Sequence, residues 1–87
     1  MSELPRFRLV FEEEASEFIL AQTKRRQRRL MDICYAIARH PSVKPDFVLP
    51  DADGRPISHV ASEGYLLSYW VDAYSKRVVI GEIEVDD

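Results

Sequence analysis

Five apolar side chains, Leu30, Ile33, Cys34, Ile37 and Ala38, recur at intervals of three and four residues and mark out one face of a helix. Met31 and Tyr35 widen the stripe. Pro41 stops it, and Arg39 and His40 fall in the last turn, where the negative end of the helix dipole favours cations. A helix that is apolar along one side must bury that side against a second layer. With 87 residues there is room for one such core, so a single domain spanning 1–87 is expected.

The second layer reads as a sheet. Residues 6–11 (RFRLVF) alternate, with Phe7, Leu9 and Phe11 on one side and Arg6, Arg8 and Val10 on the other, which predicts a strand. Glu12, Glu13 and Glu14 then suit the positive end of a helix dipole. Ala15, Phe18, Ile19 and Gln22 carry helical spacing, so a first helix is predicted over about 12–22, with a break at Thr23 and Lys24. The two helices form a hairpin. Residues 41–56 contain four prolines; Phe47, Val48 and Leu49 read as a short extended piece, and Asp51 to Arg55 (DADGR) has turn chemistry. Three strands are predicted at 57–62, 65–72 and 76–85, separated by a tight turn at Glu63 and Gly64 and a loop at 73–75. The order strand, helix, helix, strand, strand, strand implies an α+β fold: a helical hairpin on one face of a small, mainly antiparallel sheet.

Composition closes off several functions. A hydrophobic content of 46 % with nine aromatic residues excludes a disordered chain. One cysteine excludes an internal disulfide. No apolar run approaches the roughly 20 residues of a membrane span, and the opening MSELPRF is too polar for a signal peptide, so a soluble cytoplasmic protein with no membrane role is expected. No His/Cys pair has ligand spacing, Asp51 to Gly54 lacks a calcium loop's ligand ladder, and three glycines build no phosphate loop, so neither a metal nor a cofactor is expected. The net charge of −3 is unevenly spread. Residues 1–45 hold nine Lys/Arg against six Asp/Glu, whereas 46–87 hold three against nine. Such a chain can offer a single basic patch to a polyanion or an acidic partner. Its densest stretch is 24–29 (KRRQRR), which also reads as a solvated helix start balanced by the nearby glutamates.

The order of these pieces resembles the RelE/ParE toxin superfamily of bacterial type II toxin–antitoxin systems across nearly the whole chain. The opening RFRLVF leads into an acidic helix start, a second helix rich in Arg ends in ARHP, and DADGRPISHV precedes GYLLSYWVDAYSKRVVIGEIEV, which is similar to the family's Gly-Tyr-x-x-x-Tyr-x-Val strand, loop and Val/Ile strand. The resemblance implies a β-α-α-β-β-β fold and a cognate antitoxin as partner. It also implies action through ribosome-bound RNA, or on DNA gyrase, with Lys24, Arg25, Arg28, Arg29 and Arg55 as target-binding residues. Ribosome-dependent nucleases of this family place Lys and Arg on the outward sheet face to hold phosphate. Here Leu66 stands where the family usually has Arg, and the residues after the last strand are Asp86 and Asp87. His59 is the remaining candidate for a general acid or base, in a weak ribonuclease that would use Arg55 and the 25–29 cluster.

Strand alternation separates the two sheet faces. Tyr65, Leu67, Tyr69 and Val71 share one face, and Leu66, Ser68, Trp70 and Asp72 the other. The resemblance puts the tyrosine face under the helices with Val79, Ile83 and Val85. Straight alternation then leaves Ile57, Leu66, Trp70, Val78 and Ile80, with His59, on the helix-free face. A contiguous apolar surface of that kind marks a partner site, for an antitoxin or a second copy in a homodimer, with Trp70 as anchor. The alternative is that the 41–56 segment, or a different register, covers these residues and makes them core.

Overall fold

A computed structural model describes residues 7–86. The chain runs β1 (Arg8–Phe11), α1 (Glu13–Leu20), α2 (Lys24–Arg39), β2 (Phe47–Pro50), β3 (Pro56–Ser62), β4 (Tyr65–Asp72) and β5 (Arg77–Val85). Arg6, predicted to open the first strand, and Asp87, half of the acidic end, lie outside the described residues. The strands form one sheet in the order β1-β5-β4-β3-β2, parallel between β1 and β5 and antiparallel elsewhere. Both helices pack on one face, as expected from an α+β helical hairpin on a mainly antiparallel sheet. The short piece at 47–49 is an edge strand, so the sheet has five strands rather than four.

Local chemistry explains the boundaries. The Thr23 hydroxyl accepts from the Arg26 amide at 3.2 Å and caps α2. The Asp51 carboxylate accepts from the amides of Asp53 and Arg55, both at 2.9 Å, and Gly54 sits at φ 83°, which closes the β2–β3 hairpin. Glu63 (φ 54°) and Gly64 (φ 88°) are both left-handed, the two-residue geometry that matches strand twist between β3 and β4.

The core lies between the helices and the inner sheet face. Ala15 and Ile19 of α1 and Leu30, Ile33, Cys34 and Ala38 of α2 pack on Leu67, Tyr69, Val78, Ile80 and Ile83. Phe18 meets Tyr65 edge-on at 6.0 Å. The placement of Val78 and Ile80 corrects the sequence-based expectation: both are 0 % exposed beneath the helices, not on the open face. Val79, expected under the helices, is buried on the opposite side, where it pairs with Trp70. Val85, also expected there, is exposed. The reason is a bulge. Ser68 pairs with Glu82 but Tyr69 pairs with Ile80, leaving Gly81 as an extra residue in β5. One inserted residue reverses the facing of everything before it.

Burial alone pushes the Cys34 thiol up to about 12. The native chain is therefore expected to resist a thiol reagent such as Ellman's at pH 8, and to react once denaturant opens the core. Leu30→Ala should cost about 2–5 kcal/mol in urea unfolding. Leu20→Ala, at a side chain 74 % exposed, should stay within about 0.5 kcal/mol.

Candidate functional site

The helix-free face is built from cross-strand rows. One row runs Phe47, His59, Ser68 and Glu82 across β2 to β5. A second holds Leu49 and Ile57 on β2 and β3, and Trp70, Val79 and Val10 on β4, β5 and β1. Ala61, Leu66 and Glu84 form a third. Because β2 joins the sheet edge instead of folding over it, the 41–56 segment extends this surface rather than covering it. Phe47 and Leu49 are exposed on β2, and Ile57, Leu66 and Trp70 are half-buried.

Two stacked pairs organise the face. The Phe47 and His59 rings lie 4.6 Å apart and within 9° of parallel, and His59 Nδ1 shares a hydrogen bond of 3.0 Å with Ser68 Oγ. Ser68 is 7 % exposed, the one buried polar residue among the described residues, and His59 satisfies its hydroxyl. The second pair is Arg55 over Trp70, with the guanidinium carbon 4.6 Å from the ring centroid. Arg55 Nε also lies 3.4 Å from Asp51 Oδ2. Trp70 in turn lies against Gly81: a Cβ there would stand 3.1 Å from the indole Cζ3.

The charges on this face do not make a phosphate clamp. Glu82 and Glu84 are exposed on β5, and Arg55 is committed to Trp70 and Asp51. At the far corner, hydrogen bonds from the Ser75 hydroxyl and amide and from Arg77 hold the Asp72 carboxyl below the ordinary aspartate range. Lys24, Arg25 and Arg28 are exposed on α2, in the helix layer on the other side of the sheet. Arg29 is on α2 as well, and its Nε donates to Glu63 Oε1 at 2.9 Å, joining α2 to the β3–β4 turn. The structure thus brings His59, Arg55, Ile57, Leu66 and Trp70 together and leaves the 24–29 cations apart from them. No three His, Cys, Asp or Glu side chains among the described residues group as metal ligands. No helix among them is long and apolar enough to cross a membrane.

Phe47, Leu49 and Val79 are members of this surface that pattern reading missed, whereas Ser68 lies where strand alternation placed it. Phe47 and Leu49 alternate with Val48, a strand signal masked by the surrounding prolines. Gly81 inside an otherwise β-branched run was the available sign of a bulge.

No protein-family model matches the sequence, and no curated protein sequence matches it. Solved structures do match over nearly the full chain. The RelBE2 toxin–antitoxin complex of Mycobacterium tuberculosis aligns with a TM-score of 0.76 at 17 % identity, covering 98 % of this chain and 97 % of that one. The chain has the RelE-like toxin fold. The archaeal RelE–RelB complex of Pyrococcus horikoshii aligns at 0.70 and 13 % identity, covering 91 % and 93 %. The isolated E. coli RelE toxin aligns at 0.70 and 17 % identity, covering 93 % and 85 %. At such identities the likeness is one of backbone, and the side chains of the RelE-like sheet described above are this chain's own.

Trp70 is the only tryptophan, so its fluorescence reports on this face. Gly81→Ala is expected to lift the indole toward water and shift its emission to longer wavelength, and overpacking of this kind costs about 1–3 kcal/mol. An unchanged spectrum would show that the ring does not rest on Gly81.

Proposed function

We propose that this chain is the toxin-fold member of a type II toxin–antitoxin pair, and that it acts by occupying its target rather than by cutting RNA. The observation that carries this reading is the helix-free sheet face. Its centre is aromatic and aliphatic (Phe47, Leu49, Ile57, Leu66, Trp70), one arginine is stacked on the indole, and two glutamates stand on β5. A surface of this composition suits a protein contact, and carboxylates repel the phosphates a nuclease must hold. The match to RelE chains crystallised with RelB supports an antitoxin as the partner. In this reading Ile57, Leu66 and Trp70 remain partner-binding residues, and Val78 and Ile80 act only through the core. Lys24, Arg25 and Arg28 are free to meet a polyanionic target such as the ribosome, which we favour over gyrase because the likeness is to RelE.

Induction of the gene alone in a bacterium is expected to arrest growth, with methionine incorporation falling before any change in plasmid supercoiling. The reverse order would favour gyrase. Normal growth with soluble protein in the cell would instead favour a silent interaction module, and a homodimer would then appear in light scattering. Leu49→Asp, at an exposed position on the same face, should abolish the complex with the antitoxin while leaving the melting curve unchanged.

A second reading keeps His59 as the acid or base of a weak ribonuclease, favoured by its position at the middle of the face and its bond to Ser68. His59→Ala with undiminished RNA cleavage would dispose of it.

A further inference from the structure

The helix-free face is polarised along its strands. β3 and β5 run in the same direction, because each is antiparallel to β4. Where both begin, the face carries Arg8, Arg55 and Arg77; Asp51 and Asp72 there are already held by Arg55 and Arg77. Toward the finish of β5 it carries Glu82 and Glu84, whose cross-strand neighbours are Ser68 and Leu66 rather than cations. Arg8 stands directly beside Arg77, a like-charge pairing that costs a sheet stability. Among the described residues, Arg8, Glu82 and Glu84 have no ion-pair partner. Between the charged ends lies the apolar centre around Trp70.

Such a face is complementary to itself. A half-turn about an axis that lies in the plane of the face and crosses the strands sets each strand against the same strand of another copy, with its direction reversed. The finish of β5 then meets the start of β5. Glu82 and Glu84 of each copy fall opposite Arg77 and Arg8 of the other, and apolar centre meets apolar centre. A partner of unrelated sequence would have to carry this same polarity, whereas a second copy supplies it twice by symmetry. We infer that the free chain forms a two-fold dimer through its helix-free face, with the strands of the two sheets antiparallel. Sheets that pack face to face keep their strands within about 30° of one another, which this arrangement allows.

The size of the face sets the strength. Five strands at about 4.8 Å and the eight residues of β4 at about 3.3 Å span roughly 24 Å by 26 Å, on the order of 600 Å² per copy. That is the low end of specific interfaces, so the dimer is expected to exchange with monomer at micromolar concentrations. The inference concerns the free chain and does not rest on the toxin reading. A target or an antitoxin that takes this face has only to displace the second copy.

The test is light scattering on the full chain from about 1 to 500 µM, a range that brackets micromolar affinity. The mass is expected to rise from one copy to two. In the 15N-labelled chain, dilution should move the amide signals of residues 57–59, 66–70 and 79–84 and leave those of 24–39 in place. Arg8→Glu and Glu84→Arg, both at exposed positions, should each weaken the dimer about tenfold without changing the melting curve of the dilute chain. An equimolar mixture of the two variants should associate more tightly than either alone. Raising the salt should weaken the unsubstituted dimer severalfold, which tests the ion pairs with no substitution at all. A single-copy mass at every concentration, dilution shifts confined to the helices, a mixture no tighter than its components, or indifference to salt would overturn the inference. Growth arrest with a chain that stays monomeric removes the dimer only, and a dimer without growth arrest removes the toxin reading only.

Discussion

The Gly81 bulge is the contact on which the two faces of this sheet depend. It adds one residue to β5 opposite the step from Ser68 to Tyr69. That single insertion lets Val78 and Ile80 point into the helical layer on one side of the bulge and Ile83 do so on the other. Without it, a nine-residue strand in strict alternation could not bury all three. The same glycine leaves the space into which the Trp70 ring settles, at a distance where a methyl group would already be in contact. Core packing on the inner face and the anchor of the outer face are therefore consequences of one backbone feature.

The outer face is more ordered than a bare apolar patch. Three of its polar groups are matched to neighbours: Ser68 to His59, His59 to Phe47, and Arg55 to both Trp70 and Asp51. Stacking an arginine on an indole keeps its charge while screening the ring from water. Such a surface is soluble in the free chain and can still give up apolar area to a partner. It contrasts with the α2 start, where Lys24, Arg25 and Arg28 extend into solvent without aromatic neighbours. Under the proposed function, specific contact and diffuse electrostatic attraction fall on opposite sides of the molecule.

Sheet width sets the remaining asymmetry. The edge strand β2 makes the sheet five strands wide, more than two short helices can roof. Val48, on the helix side of β2, is exposed in consequence, whereas Phe47 and Leu49 face the other way. Pro50 at its end lacks an amide, and four residues make a short edge, so the strand offers little to unwanted pairing.

Much of this was legible in the residues themselves. The periodic stripe from Leu30 to Ala38, the turn at Asp51 to Arg55, the tight turn at Glu63 and Gly64, and the separation of Trp70 from the tyrosine face all follow from local spacing and turn chemistry, and all are present in the structure. Resemblance to a known order of elements added the placement of both helices on one face. What local pattern could not supply was the phase of β5, because a strand's facing is set by the partner it pairs with and a bulge is visible only in that pairing. Nor could it supply the role of 47–50, four residues between prolines that become a strand only because the β3 edge is there to receive them. The sequence by itself determined the helices, the turns and four of the five strands; the tertiary structure decided the fifth and which side chains of different strands share a surface, since that depends on cross-strand register between residues far apart in the chain.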